Sequence, residues 1–291
     1  MQYKMSLLLD KIQQACDVEI WYNIMQYKMS LLLDEIQQAC DIEIWYNIMK
    51  FKMSLLLDKI QQACDVEIWY NTPQMARRQQ TNGEEIANTI THVVGSHLGA
   101  AMLALVVWQG AVSGHDVAWK TTSGAIFGFT MIFLYAISSA YHAVTYPPAK
   151  KVLHVMDHMA IFFLIAGSYT PFCLVTLRPS HPVLAWSIFG IEWGAALAGI
   201  IFKAFTTGRF RYLSTSAYVI MGWAAIGAIA PLVKSLQGMG TMWLATGGGL
   251  YTLGCVFYLW KSLPYSHMVW HLFVLAGTIC HFFCIFWHVM Q

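Results

Sequence analysis

Residues 262–291 read SLPYSHMVWHLFVLAGTICHFFCIFWHVMQ, thirty consecutive positions without Asp, Glu, Lys or Arg. About 20 apolar residues of helix cross the hydrocarbon core of a bilayer, so 267–290 reads as a transmembrane span. The stretch is apolar but not inert, because it carries His267, His271, His281 and His288. Ionisable groups inside a membrane are expensive and are functional by default.

The rest of the chain agrees with a lipid solvent. Of its 291 residues, 57% are hydrophobic and 11% charged, with mean hydropathy +0.51. An ordinary soluble domain carries about 25% charged residues. Disorder needs low hydrophobicity and high net charge, and is excluded. A net charge of +2 without a basic stripe argues against a nucleic-acid partner. Further spans are expected near 87–109, 122–143, 155–177, 182–203, 213–233 and 241–260, making seven with 267–290. Seven spans in the 219 residues after Thr72 leave about nine residues per connection, so no extramembrane domain fits there. Loop signals fall between the spans: Tyr146-Pro147-Pro148, Arg178-Pro179, Thr207-Gly208-Arg209, Gln237-Gly238 and Leu263-Pro264-Tyr265. Trp108, Trp119, Trp186 and Trp243 sit near span ends, as an aromatic belt requires. Pro171 and Pro231 predict kinks or ends.

Loop charge sets the orientation. One side holds Arg77, Arg78, Lys150, Lys151, Lys203, Arg209, Arg211 and Lys261; the other holds only Lys120, Arg178 and Lys234. Positive residues stay inside, so the bundle is expected to start in the cytoplasm and end outside.

The N-terminal quarter differs. Residues 1–24, 25–48 and 49–72 are near-copies of one 24-residue unit. In the first copy Leu8, Ile12 and Ala15 fall on one helical face and Ser6 is placed to cap it, giving an amphipathic helix. Residues 1–72 hold 6 Lys against 10 Asp and Glu, a net of −4, whereas 73–291 hold 11 Lys and Arg against 5 acids, a net of +6. All 11 His lie in the second part. The repeat reads as a recent tandem duplication or an upstream start, against a helical oligomerisation arm; Met75 makes a natural start. Its apolar runs are too short for a secretory signal peptide. Cys16, Cys40 and Cys64 form no tight motif and read as small helix residues. The chain therefore divides into 1–74, three helical repeats, and 75–291, the membrane domain.

The topology sorts the ionisable groups by depth. His142 ends the second span, Asp157 begins the third, and His267 and His271 begin the seventh, so four groups from three spans meet at the cytoplasmic end. His267 and His271 are four residues apart, on one helix face, a pairing that binds zinc well. His142 supplies a third nitrogen, and three nitrogens plus a water is the pattern of a catalytic zinc site. Asp157 is placed to hold or deprotonate that water. Ser138, one turn before His142 on the same face, can hydrogen-bond a ligand or the reacting group. A second HxxxH pair, His154 and His158, flanks Asp157 at the same depth, and spacing alone does not choose between the pairs. His92, His97, His281 and His288 read as bundle histidines bonding between helices. Glu192 sits mid-span as a structural or functional acid. Cys173, Cys255, Cys280 and Cys284 have no ligand spacing and read as small core residues.

The membrane part resembles the hemolysin III family, the bacterial branch of the progestin and adipoQ receptor superfamily. The matching segments are Glu84–Asn88, Ser138–His142, Asp157–Ile161, Ala166–Phe172, Met221–Trp223 and Pro264–His271, in the family's order across 84–290. The repeat is not part of that pattern. The resemblance implies an all-α, seven-span bundle in the bacterial inner (plasma) membrane with an intramembrane zinc. It carries the pattern SxxxH, D, HxxxH onto Ser138 and His142, Asp157, and His267 and His271, and so selects His267 and His271 over His154 and His158. It implies two functional readings. One is a zinc-dependent amidase, akin to the superfamily's ceramidases, taking a lipid from the inner leaflet. The other is a non-enzymatic sensor of membrane state or a cytolytic factor, in which zinc is structural.

Overall fold

The structure, a computed structural model, describes residues 80–207 and 210–291. The repeat at 1–74 lies outside the described residues.

The described residues are all-helical. The elements are α1 (Asn82–Val112), α2 (Val117–Ala143), α3 (Pro147–Pro171), α4 (Pro182–Thr206), α5 (Arg211–Gly222), α6 (Ile229–Leu259) and α7 (Ser266–His288). Six stretches are long and apolar enough to cross a membrane. Five are α1, α2, α3 with its extension, α4 and α7; the sixth runs from Arg211 to Leu259, over 49 residues. The sequence reads that stretch as two spans. It is broken twice: a 3-10 turn, Ala224–Ala228, separates α5 from α6, and Gln237 has φ 58° and ψ −172° inside α6. Gln237-Gly238 is the pair that reads as a loop, and a left-handed φ at a non-glycine residue does not continue a helix. Tyr218 and Tyr258, from opposite ends of the stretch, both reach His158. The Tyr218 hydroxyl donates to the His158 carbonyl at 3.2 Å, and the Tyr258 hydroxyl lies 3.4 Å from His158 Nε2.

The prolines act as the sequence predicts. After Pro171, which has no N–H to give, α3 widens into a π-helical turn, Phe172–Leu177. Pro231 falls in the first turn of α6, where no intrahelical donor is needed.

The centre of the bundle is α3. Through its most apolar window 72% of residues are buried, against 22% for α4. Small residues permit this: Ala160, Ala166, Gly167, Ser168 and Thr170 are all buried. A Cβ on Gly167 would sit 2.1 Å from the Thr130 hydroxyl of α2, so only glycine allows this approach. The main core joins Phe127, Met131 and Leu134 of α2, Leu164 of α3, Leu232 and Leu236 of α6, and Val274, Phe282 and Ile285 of α7. Outward faces of α1 and α4 leave Ile86, Ile90, Val183, Ile191 and Leu197 exposed, as lipid contact demands. Together these features make the chain a multi-pass membrane protein.

Candidate metal centre

The centre is assembled by three helix ends. Thr81 caps α1: its hydroxyl accepts from Glu84 N–H at 3.3 Å, and its own N–H donates to Glu84 Oε2 at 2.9 Å. Glu84 Oε1 also accepts from the N–H of Tyr265 at 2.7 Å. Tyr265 precedes α7 in a left-handed conformation. One buried carboxylate thus clamps the start of α1 to the start of α7, the helix that carries His267 and His271.

Helix α1 then turns a polar stripe to the site. Its buried face runs Glu84, Asn88, His92, Gly95, Gly99 and Met102, at helical spacing. Helix α2 brings Ser138 and His142, one turn apart and both buried. Gly95 lets the two helices close, since a Cβ there would lie 3.0 Å from the Tyr135 ring.

His142, His267 and His271 converge. Each offers a ligand nitrogen, and these nitrogens lie within 4.8 Å of one another. Ring centroids are 5.1 Å apart for His142 and His267, 5.2 Å for His142 and His271, and 4.5 Å for His267 and His271. Among the described residues this is the one group of three or more His, Cys, Asp or Glu close enough to hold a metal ion. His154 and His158 stand outside it.

The hydrogen bonds fix two tautomers. Glu85 Oε2 lies 2.6 Å from His142 Nδ1, and a carboxylate only accepts, so that nitrogen carries the proton. Thr91 gives its hydroxyl proton to the Asn88 carbonyl at 2.8 Å, and its oxygen sits 3.1 Å from His271 Nδ1. The oxygen therefore accepts from His271 Nδ1. In both rings Nε2 keeps its lone pair, and both Nε2 atoms are buried without a partner, as is His267 Nδ1. Histidines that ligate a metal hold the other ring nitrogen in such outer hydrogen bonds. Three imidazoles, each with a buried, orphaned nitrogen and two with their tautomers set, could hold a metal ion.

The remaining site residues lie around this cluster. Asp157 is 5% exposed, with His158 Nδ1 at 3.7 Å from its Oδ2. Ser138 is buried and its hydroxyl oxygen is unpartnered. His92 departs from the expectation of a hydrogen bond between helices. Its ring stacks on His271 at 3.5 Å and 18°, with both nitrogens unpartnered. His97 bonds only the Val93 carbonyl of its own helix at 2.8 Å, and His281 packs against Gly247 of α6. Glu192 is buried on α4, its carboxylate oxygens unpartnered. The four described cysteines are free.

A cavity of about 200 Å³ lies within the bundle, with Asp157 and His92 in its lining but none of the three clustered histidines. Ile161 and Leu164 of α3 with Phe172 and Leu177 of the π-helical turn continue the lining. Twenty residues of helix span roughly 30 Å, so this apolar lining follows α3 through most of the depth of a bilayer.

Glu85, Thr91 and His92 are missing from the sequence-derived site. The available signal was the polar stripe Glu84/Glu85, Asn88, Thr91/His92 on an otherwise apolar span.

Known proteins match the same region. The model of the family described as "Haemolysin-III related" matches residues 80–282. "Hemolysin-3" of Bacillus cereus is 42% identical over 219 residues, covering 75% of this chain and 98% of that protein. "Hemolysin-3 homolog" of Bacillus subtilis (strain 168) is 43% identical over 208 residues, covering 72% and 95%. The human "Monocyte to macrophage differentiation factor" is 29% identical over 226 residues, covering 73% and 87%.

Proposed function

This chain belongs to the haemolysin-III family, and on that premise we propose that it is a seven-span membrane protein in which His142, His267 and His271 hold zinc for hydrolysis of a lipid amide. The observation that carries the metal reading is the trio of buried, unpartnered imidazole nitrogens, two backed by Glu85 and Thr91.

The length of Arg211–Leu259 supports the reading of seven spans. As one straight helix its 49 residues would reach about 73 Å, more than twice the ~30 Å hydrocarbon core. The breaks at Ala224–Ala228 and Gln237, and the shared contact of Tyr218 and Tyr258 with His158, support an outward and a return crossing. Eight Lys and Arg against three support a cytoplasmic-side position for the metal centre.

Held by His142, His267 and His271, a zinc ion would supply Lewis-acid polarisation of a carbonyl and a lowered pKa for a bound water. The protein's own groups do the rest. Glu85 and Thr91 keep His142 and His271 in the tautomers that present Nε2. The apolar cavity takes the acyl chain and leaves the amide at the polar end. Asp157 accepts the proton of the attacking water at its carboxylate. The water oxygen bonds to the amide carbon, the C–N bond breaks, and Asp157 returns the proton to the leaving amine. Ser138 donates to the carbonyl oxygen as charge builds there. The products are a fatty acid and an amine.

The test is release of fatty acid from a long-chain N-acyl amine by the purified chain in detergent. We expect turnover in the wild type and none in a folded His271→Ala variant. Equal release by both would overturn the proposal. Bound zinc without turnover in the wild type would favour a metal-stapled, non-enzymatic membrane protein.

A further inference from the structure

Most polar side chains in the cavity wall are already spent on the protein. Ser168, Thr241 and Thr252 donate to carbonyls of their own helices at 2.7–2.8 Å. Tyr218 donates to the His158 carbonyl, and Tyr251 shares a hydrogen bond with Thr278 at 2.8 Å. His92 of α1 differs. It lines the cavity, is 1% exposed, and neither ring nitrogen has a partner. A buried polar group without a hydrogen bond is unfavourable. His281 also lines the cavity with unpartnered nitrogens, but its Nε2 is turned to the backbone of α6, since a Cβ on Gly247 would lie 2.6 Å from it.

Packing fixes how His92 can act. Its ring is stacked on His271 at 3.5 Å and 18°, and Tyr135 meets it in a T-shaped contact at 5.1 Å. The Tyr135 hydroxyl is committed to Thr278 at 2.7 Å. Imidazole nitrogens bond in the plane of the ring, so stacking covers a face and leaves both nitrogens at the edge. None of the three clustered histidines lines the cavity, whereas His92 lines it and packs on one of them. A group held by His92 would share the wall with Asp157.

The wall also selects the chemistry of that group. No Lys or Arg is among the described residues that line the cavity, and its one carboxyl is Asp157. An anionic head group finds no opposite charge there, and burying it unpaired is costly. A neutral imidazole offers one N–H and one lone pair. That is the complement of a hydroxyl or an amide, each of which both donates and accepts.

We propose that His92 hydrogen-bonds the uncharged head group of a long-chain ligand in the cavity, and that it selects hydroxyl- or amide-bearing chains over carboxylates and phosphates. The inference rests on the proposed reading of this cavity as the acyl-chain site. It does not rest on the metal or on hydrolysis, because binding alone reads it out.

The experiment uses the full chain purified in neutral detergent and measures equilibrium binding of radiolabelled hexadecanol, which has no C–N bond to cleave. Hexadecane is the comparison without a head group, and hexadecanoate is the anionic one. We expect saturable binding of hexadecanol and about tenfold weaker binding of each comparison. His92→Phe keeps a flat ring against His271 and removes both nitrogens. It should bind hexadecanol about tenfold more weakly, and hexadecane as the wild type does. His92→Gln restores a donor and an acceptor and should recover most of the binding, which a purely structural role of the ring would not allow. His97→Phe, exposed on the same helix, should change nothing. Zinc content should be equal in His92→Phe and the wild type; loss of zinc together with binding would put the effect in the metal centre and overturn the proposal. Should His92→Phe not fold, a hexadecanol carrying a diazirine beside its hydroxyl is crosslinked to the wild type and mapped by mass spectrometry. Attachment at His92 or Asp157 is expected, and attachment only near Thr241, at the His288 end of α7, would overturn the proposal. So would wild-type binding of hexadecanol in folded His92→Phe, or hexadecanoate bound as tightly as hexadecanol. Binding that depends on His92 in a chain that releases no fatty acid supports this inference while refuting the hydrolase reading.

Discussion

Replacing Glu85 probes the outer ring of the metal centre without touching a ligand. Its Oε2 lies 2.6 Å from His142 Nδ1, and its Oε1 lies 3.1 Å from Lys150 Nζ. Loss of such an outer partner costs roughly 10- to 100-fold in metal affinity, equivalent to about 1.4–2.7 kcal/mol. The short, charge-assisted contact puts Glu85→Ala at the upper end of that range. Glu85→Gln keeps an accepting oxygen without the charge, and should lose about tenfold. Thr91→Val removes the acceptor of His271 Nδ1 at constant shape, and should also lose about tenfold. The Lys150 side chain is 30% exposed, and such ion pairs contribute about 0–1 kcal/mol, so Lys150→Met should change affinity less than about fivefold. The assay is zinc competition against a chelating dye, with circular dichroism confirming helix content. Zinc affinity in Glu85→Ala within twofold of the wild type would refute the reasoning, because His142 would then owe nothing to its carboxylate.

Other substitutions separate chemistry from architecture. Asp157→Asn should bind zinc normally and lose about 10²- to 10⁴-fold in turnover, the usual worth of a general base; this is read by metal analysis and amide hydrolysis together. Gly248 lines the apolar cavity, and a Cβ there meets nothing within 4 Å, so Gly248→Leu should fold, keep its zinc and discriminate against long acyl chains. That outcome is measured by comparing kcat/KM for short- and long-chain amides. Gly95→Val forces a side chain onto the Tyr135 ring, where even a Cβ would lie at 3.0 Å. It should lower stability by about 1–3 kcal/mol, visible as a fall in Tm.

Some of this was legible in the sequence because it depends on local pattern. The uncharged run 262–291 marks α7, and the His267/His271 spacing marks a helix face. The Gln237-Gly238 pair locates the break inside Arg211–Leu259. What could not be read was which faces meet. Glu85 finds His142 across 57 residues and Thr91 finds His271 across 180. Helical spacing names a stripe on α1 but not its partner. The two HxxxH pairs look alike for the same reason. Packing aims His267 and His271 at His142, whereas His158 meets Tyr218 and Tyr258 and His154 stacks on Tyr141 at 5.1 Å. In sequence His92 looks like any bundle histidine, because nothing local reveals a ring stacked on His271.

The central claim is that three imidazoles from two distant helices hold one metal ion. It is tested most directly by elemental analysis of the purified chain beside folded His142→Ala, His267→Ala and His271→Ala variants. The account predicts one zinc per wild-type chain and less than about a tenth of that in each variant, since two imidazoles alone make a poor zinc site. A metal-free wild type, or variants that keep zinc at the wild-type ratio, would contradict it.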